Sequence, residues 1–116
     1  MSTVIWVLGK ETMREDDYDH FYLLEALEKL DAICVREHIR KISEFVDRAD
    51  GSTKKKWHRP DEGLAVLKHL VEYLDKKGDE LADIDAEALK EELADCIDKI
   101  EQIKKNKDLF QLTVVM

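Results

Sequence analysis

Residues 3–8 read TVIWVL and residues 109–116 read LFQLTVVM. Both stretches are short apolar runs rich in β-branched and aromatic residues, which is typical of strands. A lone strand leaves its backbone donors and acceptors unpaired, so two isolated strand patterns in one small chain are expected to pair with each other. The sequence therefore predicts that the two ends of the chain lie side by side in a small sheet.

The segments between these ends have the spacing of amphipathic helices. We expect a first long helix capped by Asp17 or Asp19 and ending near residue 37, and a short helix over residues 39–47. Two more long helices are expected, from Pro60 to Gly78 and from Asp85 to Asn106. The predicted fold is α+β and predominantly helical: three long amphipathic helices and one short helix packed on the sheet of the terminal strands. One globular domain is expected over residues 1–116.

Gly63 lies near the centre of the apolar half of the third predicted helix. Glycine lowers helix stability, so its position suggests that another backbone approaches closely there.

Composition limits the classes of partner. The 116 residues carry a formal net charge of -8, and 40% of them are charged. Such a surface is unfavourable for nucleic acids and anionic membranes and favours a basic protein partner. No stretch reaches the roughly 18 apolar residues of a membrane span. Cys34 and Cys96 both lie on apolar helical stripes, which predicts buried thiols in a reducing compartment and a cytoplasmic location.

One acidic pattern resembles part of a known enzyme family. Glu25 and Glu28 lie three positions apart, as do Glu92 and Asp95 in the run EELAD. This run resembles the second acidic motif of the all-alpha nucleotide pyrophosphohydrolases, whose paired carboxylates bind magnesium and substrate phosphates. The resemblance covers about five residues and implies a magnesium-dependent nucleotide hydrolase. The separation of Glu28 and Glu92 is longer than that family's spacing, and the helical period places Asp95 toward water.

Other catalytic and metal patterns are weak. The histidines are dispersed along the chain, and the spacings Asp17–His20 and His69–Glu72 match no known metal site. There is no glycine-rich phosphate loop and no flanked nucleophile. We therefore expect no metal, no cofactor and no catalytic residue.

A basic run precedes the third helix and includes Lys54, Lys55, Lys56, Trp57 and Arg59. The start of a helix can hold an anion, so the four cationic residues form a possible anion site. The alternative is a solvated loop whose Trp57 packs on the core.

The remaining pattern favours a binding protein. The segment from Glu15 through Asp16, Asp17 and Tyr18 to Asp19 is strongly acidic, and a second acidic segment covers residues 79–85. We predict that these residues, with Trp57, contact a protein with a basic surface, as small inhibitors, immunity proteins and antitoxins do. Two alternatives stay open: the magnesium-dependent hydrolase, and a self-associating structural protein that forms a homodimer through its sheet edges.

Overall fold

The computed structural model of the protein describes residues 4–11, 19–48, 57–78 and 85–115. Strand β1 (Val4–Gly9) pairs antiparallel with the C-terminal strand, Phe110–Val115, in a register that runs from Val4 opposite Val115 to Gly9 opposite Phe110. The predicted pairing of the two ends is confirmed.

A third strand, which the sequence did not indicate, completes the sheet. Strand β2 (Val46–Arg48) pairs in parallel with the C-terminal strand, which is therefore β3 and lies in the middle of the order β1-β3-β2. The short helix expected over residues 39–47 is present as a 3₁₀ helix over Ile42–Phe45, shorter than predicted because the chain then extends into β2. The Glu44 carboxylate accepts from the Lys41 amide at 3.1 Å, which favours a tight turn, and Val46 then extends along the open side of β3.

The first predicted helix is divided at Ala26 into α1 (Phe21–Glu25) and α2 (Leu27–Arg36). It begins after His20, which makes no side-chain cap, so the expected cap by Asp19 is wrong; Asp17 lies outside the described residues. Helix α3 (Pro60–Lys77) begins with proline at its first turn, and α4 (Ala86–Lys105) begins with Asp85 accepting from the Ala88 amide at 3.1 Å. The predominantly helical α+β fold is confirmed.

The core lies between the helices and one face of the sheet. Ile5 and Val7 of β1 and Phe110, Leu112 and Val114 of β3 point into it. The close approach expected at Gly63 is present, but a side chain makes it: a Cβ at this position would lie 2.2 Å from Cζ of Phe110. Gly63 thus makes room for the Phe110 ring, which packs on Phe45 with ring centres 5.7 Å apart.

None of the helices in the described segments combines the length and the apolar character needed to cross a membrane.

Candidate functional site

The carboxylate of Glu92 lies inside the fold, where it caps another helix. Only 3% of the residue is exposed. Its Oε1 accepts from the Leu23 amide at 2.7 Å, and its Oε2 accepts from the Tyr22 amide at 3.0 Å. The first amides of a helix have no partner within the helix, and a negative charge there also complements the helix dipole. Glu92 of α4 therefore supplies the cap that the chain before α1 lacks.

His20 and Asp95 join the same two helices to the sheet. The His20 ring is fully buried, with Nδ1 2.8 Å from the Ile5 carbonyl oxygen and Nε2 2.7 Å from Oδ2 of Asp95. A carbonyl oxygen can only accept, so Nδ1 must donate to it. The Asp95 contact then requires a hydrogen on Nε2 or on the carboxyl group. Neither ring nitrogen is left for acid–base work on a substrate.

Asp95 is less exposed than the helical period predicted. Its side chain is 28% exposed, because it turns toward His20, and Lys99 Nζ lies 2.9 Å from the same oxygen. Burial lowers the pKa of Lys99. The expectation that Asp95 faces water is therefore wrong, whereas its pairing with Lys99 follows from the (i, i+4) spacing.

These contacts occupy the carboxylates that carry the resemblance to the nucleotide pyrophosphohydrolases. Glu92 is committed to two backbone amides and Asp95 to two side chains, while Glu25 and Glu28 are exposed on different helices. Within the described segments, no group of three or more His, Cys, Asp or Glu residues is arranged to hold a metal ion. The contacts that Glu92 and Asp95 make in this structure are therefore contacts within the fold.

The other histidines lie in separate places. His69 Nε2 is 3.0 Å from Oε1 of Glu37, on the opposite helix, and is not paired with Glu72. His58 packs edge-on against Phe45, and His38 follows α2 with a positive φ of 57°. A helix that ends in this left-handed conformation satisfies its last carbonyls.

A small groove lies beside the His69–Glu37 pair. It encloses about 120 Å³ and is lined by Glu37, His69, Glu72, Tyr73, Lys76 and Lys77. The Tyr73 hydroxyl accepts from Arg36 Nη1 at 2.8 Å, and His69 is paired with Glu37 across the groove. The groove is smaller than a typical ligand pocket.

The possible anion site is only partly described. Lys54, Lys55 and Lys56 lie outside the described residues, while Arg59 is exposed at the N-terminal end of α3 and Trp57 is half-buried. Asp61 and Glu62 already place two carboxylates in the first turn, and they pair with Lys104 at 2.7 Å and Arg40 at 3.1 Å. Internal acids therefore occupy the positive end of this helix.

Of the first acidic segment, Glu15 to Asp19, the structure describes only the last residue. Glu15, Asp16, Asp17 and Tyr18 lie outside the described residues, as do residues 79–84 of the second acidic segment. Asp19 is exposed and accepts from Nε1 of Trp6 at 3.0 Å. Asp85, which ends the second segment, caps α4.

An exposed aromatic pair follows His20 on α1. Phe21 is 41% exposed and Tyr22 is 38% exposed; their ring centres lie 5.8 Å apart and their planes are nearly perpendicular. Both rings fall within the first predicted helix, whose periodicity alone did not mark them as a surface feature. The signal was available, because the pair begins just outside the apolar stripe of that helix, which starts at Leu23.

Carboxylates neighbour this pair along the chain, and others flank the residue of α4 that binds it. Asp19 precedes it, Glu25 follows by one turn on α1, and Glu92 binds the amide of Tyr22 itself. On α4, exposed Glu91 and half-buried Asp95 flank Glu92. We call the set Asp19, Phe21, Tyr22, Glu25, Glu91 and Asp95 the aromatic–acidic surface.

The cysteines are buried and free. Burial raises the pKa of Cys34, and burial together with Asp95 and Glu92 raises the pKa of Cys96 well above its usual value. A thiol held in its neutral form is a poor nucleophile.

Comparison of the chain with models of protein families, with curated proteins and with solved structures gave no match.

Proposed function

We propose that this protein is a small acidic binding domain that acts in the cytoplasm on a basic protein partner, as an inhibitor of the immunity-protein or antitoxin kind. The observation that supports this most is the exposed Phe21–Tyr22 pair among carboxylates. Aromatic side chains are enriched at the energetic centre of protein interfaces, and charges at the rim speed encounter and select the partner.

The charge of this surface fits a cationic partner. Asp19, Glu25 and Glu91 make no ion pair in the described part of the chain, whereas Asp95 is paired with Lys99. The acidic residues Glu15, Asp16 and Asp17 precede this surface in sequence, and we propose that they add negative charge to the contact. Tyr18 and Trp57 are the further contact residues of the proposal. A cluster of like charges that is not neutralised internally raises the association rate with an oppositely charged protein.

Two features weigh against the alternative functions. The magnesium-dependent hydrolase would need Glu92 and Asp95, which are engaged within the fold. Self-association through the outer edge of β1 would need free backbone groups on that edge. At Ile5 these groups already exchange two hydrogen bonds with the backbone of His20, at 3.3 and 3.4 Å.

Affinity capture from the native host, eluted with rising salt, tests the proposal. Reversal of Asp16, Asp17 and Asp19 to lysine is expected to abolish capture of the basic partner, and 0.5–1 M salt is expected to release it, because about 1 M salt shortens the Debye length to about 3 Å. The matched control reverses Glu62, Glu72 and Asp75 of α3, which changes the net charge equally. Their surface ion pairs contribute little to stability.

Two results would overturn the proposal. One is capture of the same partner by the Asp16, Asp17 and Asp19 variant at wild-type strength. The other is binding that does not weaken with salt, which would direct attention to the apolar surface near Trp57.

A further inference from the structure

We infer that the aromatic–acidic surface recognises arginine side chains in preference to lysine side chains on its partner; this inference rests on the proposed function. It names the chemistry of the partner's contact residues, which the net charge alone leaves open.

Both rings of the pair are partly open to solvent, with Phe21 41% and Tyr22 38% exposed. In the edge-to-face arrangement, with planes 83° apart, the edge of one ring covers a face of the other, and the remaining faces are left uncovered by the pair. A guanidinium is planar and weakly hydrated, so it stacks on such a face, whereas an ammonium is a compact and strongly hydrated charge.

Two exposed carboxylates are close to the ring pair along the chain. Glu25 lies one turn beyond Phe21 and Tyr22 on α1, and Asp19 precedes Phe21 by two residues. A guanidinium can donate two parallel hydrogen bonds to one carboxylate while its face rests on a ring, which an ammonium cannot do.

The surface is also held in place. Glu92 binds the amides of Tyr22 and Leu23, and His20 ties the preceding residue to β1 and α4. Rings on an anchored backbone lose little conformational freedom when a partner binds, which improves affinity. An arginine-bearing segment of a protein is therefore the partner chemistry that this surface fits.

The test compares two defined probes, a capped hexa-arginine peptide and a capped hexa-lysine peptide, in calorimetric titrations of the full chain at low salt. We expect the arginine peptide to bind about three- to tenfold more tightly, which corresponds to roughly one or two exposed cation–π contacts. Phe21→Leu with Tyr22→Leu should reduce that preference to about one, and Tyr22→Phe should retain it. Val35→Ala alters another exposed apolar residue, 57% exposed on α2, and should leave the preference unchanged.

The outcomes separate this inference from the proposed function. Equal binding of both peptides overturns the arginine inference, and so does a preference for arginine that survives loss of both rings. If the peptides nevertheless bind, and bind more weakly at high salt and in the Glu25→Gln and Glu91→Gln variants, the charge-driven function stands. No binding of either peptide at millimolar concentration overturns both. The melting temperature of each variant confirms that it is folded.

Discussion

Substitution of Gly63 by alanine tests the packing of α3 on the sheet. The added Cβ would lie 2.2 Å from Cζ and 2.7 Å from Cε1 of Phe110. Carbon atoms in contact are about 3.5 Å apart, so the ring would have to move by more than about 1 Å. Phe110 is fully buried against Phe45, which leaves it little space to move into.

Two opposing effects decide how much stability the Gly63→Ala protein loses. Replacement of glycine by alanine within a helix stabilises the folded protein by up to about 1 kcal/mol. Overpacking of a close-packed core costs about 1–3 kcal/mol, and a displacement of this size belongs at the upper end. The expected net loss is about 2 kcal/mol, or about 8 °C in melting temperature at roughly 4 °C per kcal/mol for a chain of this length.

Thermal unfolding followed by circular dichroism measures this loss. Ala65→Gly is the matched control, because Ala65 is exposed on the same helix and its loss should cost only the helix propensity, about 1 kcal/mol. Phe110→Leu removes ring atoms from the contact, so Gly63→Ala should cost less in that background, with a coupling of about 1 kcal/mol or more. A Gly63→Ala protein that melts at or above the wild-type temperature would refute the reasoning.

Three further predictions concern the ends, the cap and the thiols. Deletion of Leu112–Met116 removes most of the central strand and should leave the chain unfolded or insoluble; a truncated protein with the wild-type melting temperature would show that the strand is dispensable. Glu92→Ala leaves two amides without their partner and should lower the free energy of unfolding in urea by about 3 kcal/mol or more, whereas a loss below about 1 kcal/mol would contradict the capping role. Cys34 and Cys96 have raised pKa values, so the reactive thiolate requires a higher pH than in an unfolded chain, and a thiol reagent should label them only after denaturant is added. Fast labelling in buffer would contradict their burial.

The sequence predicted the fold correctly at the places where a local pattern of residues determines the structure. The β-branched terminal runs predicted the pairing of β1 with β3, and the residues Pro60 and Asp85 marked the beginnings of α3 and α4. Gly63 predicted a close approach, although the approaching group is the side chain of Phe110. These features depend on spacing and on the backbone preference of single residues.

The rest depended on contacts between distant parts of the chain. Strand β2 is three residues long and exists because β3 offers it an unpaired side, which no periodicity within the segment could indicate. Glu92 caps a helix that begins 71 positions earlier in the chain, and His20 contacts Asp95 at a separation of 75. Their sequence neighbourhoods resemble an ordinary polar helix face. The aromatic–acidic surface was missed for the same reason, because α4 meets Tyr22, through Glu92, only in the folded chain.

The most direct test of binding at the aromatic–acidic surface is a map of backbone amide chemical shifts in the ¹⁵N-labelled protein as the hexa-arginine peptide is added. We expect the largest changes at Phe21, Tyr22 and Glu25 of α1 and at Glu91 of α4, and we expect them to diminish as salt is raised. Changes centred on Trp57 or on the groove beside His69, with no dependence on salt, would contradict this expectation.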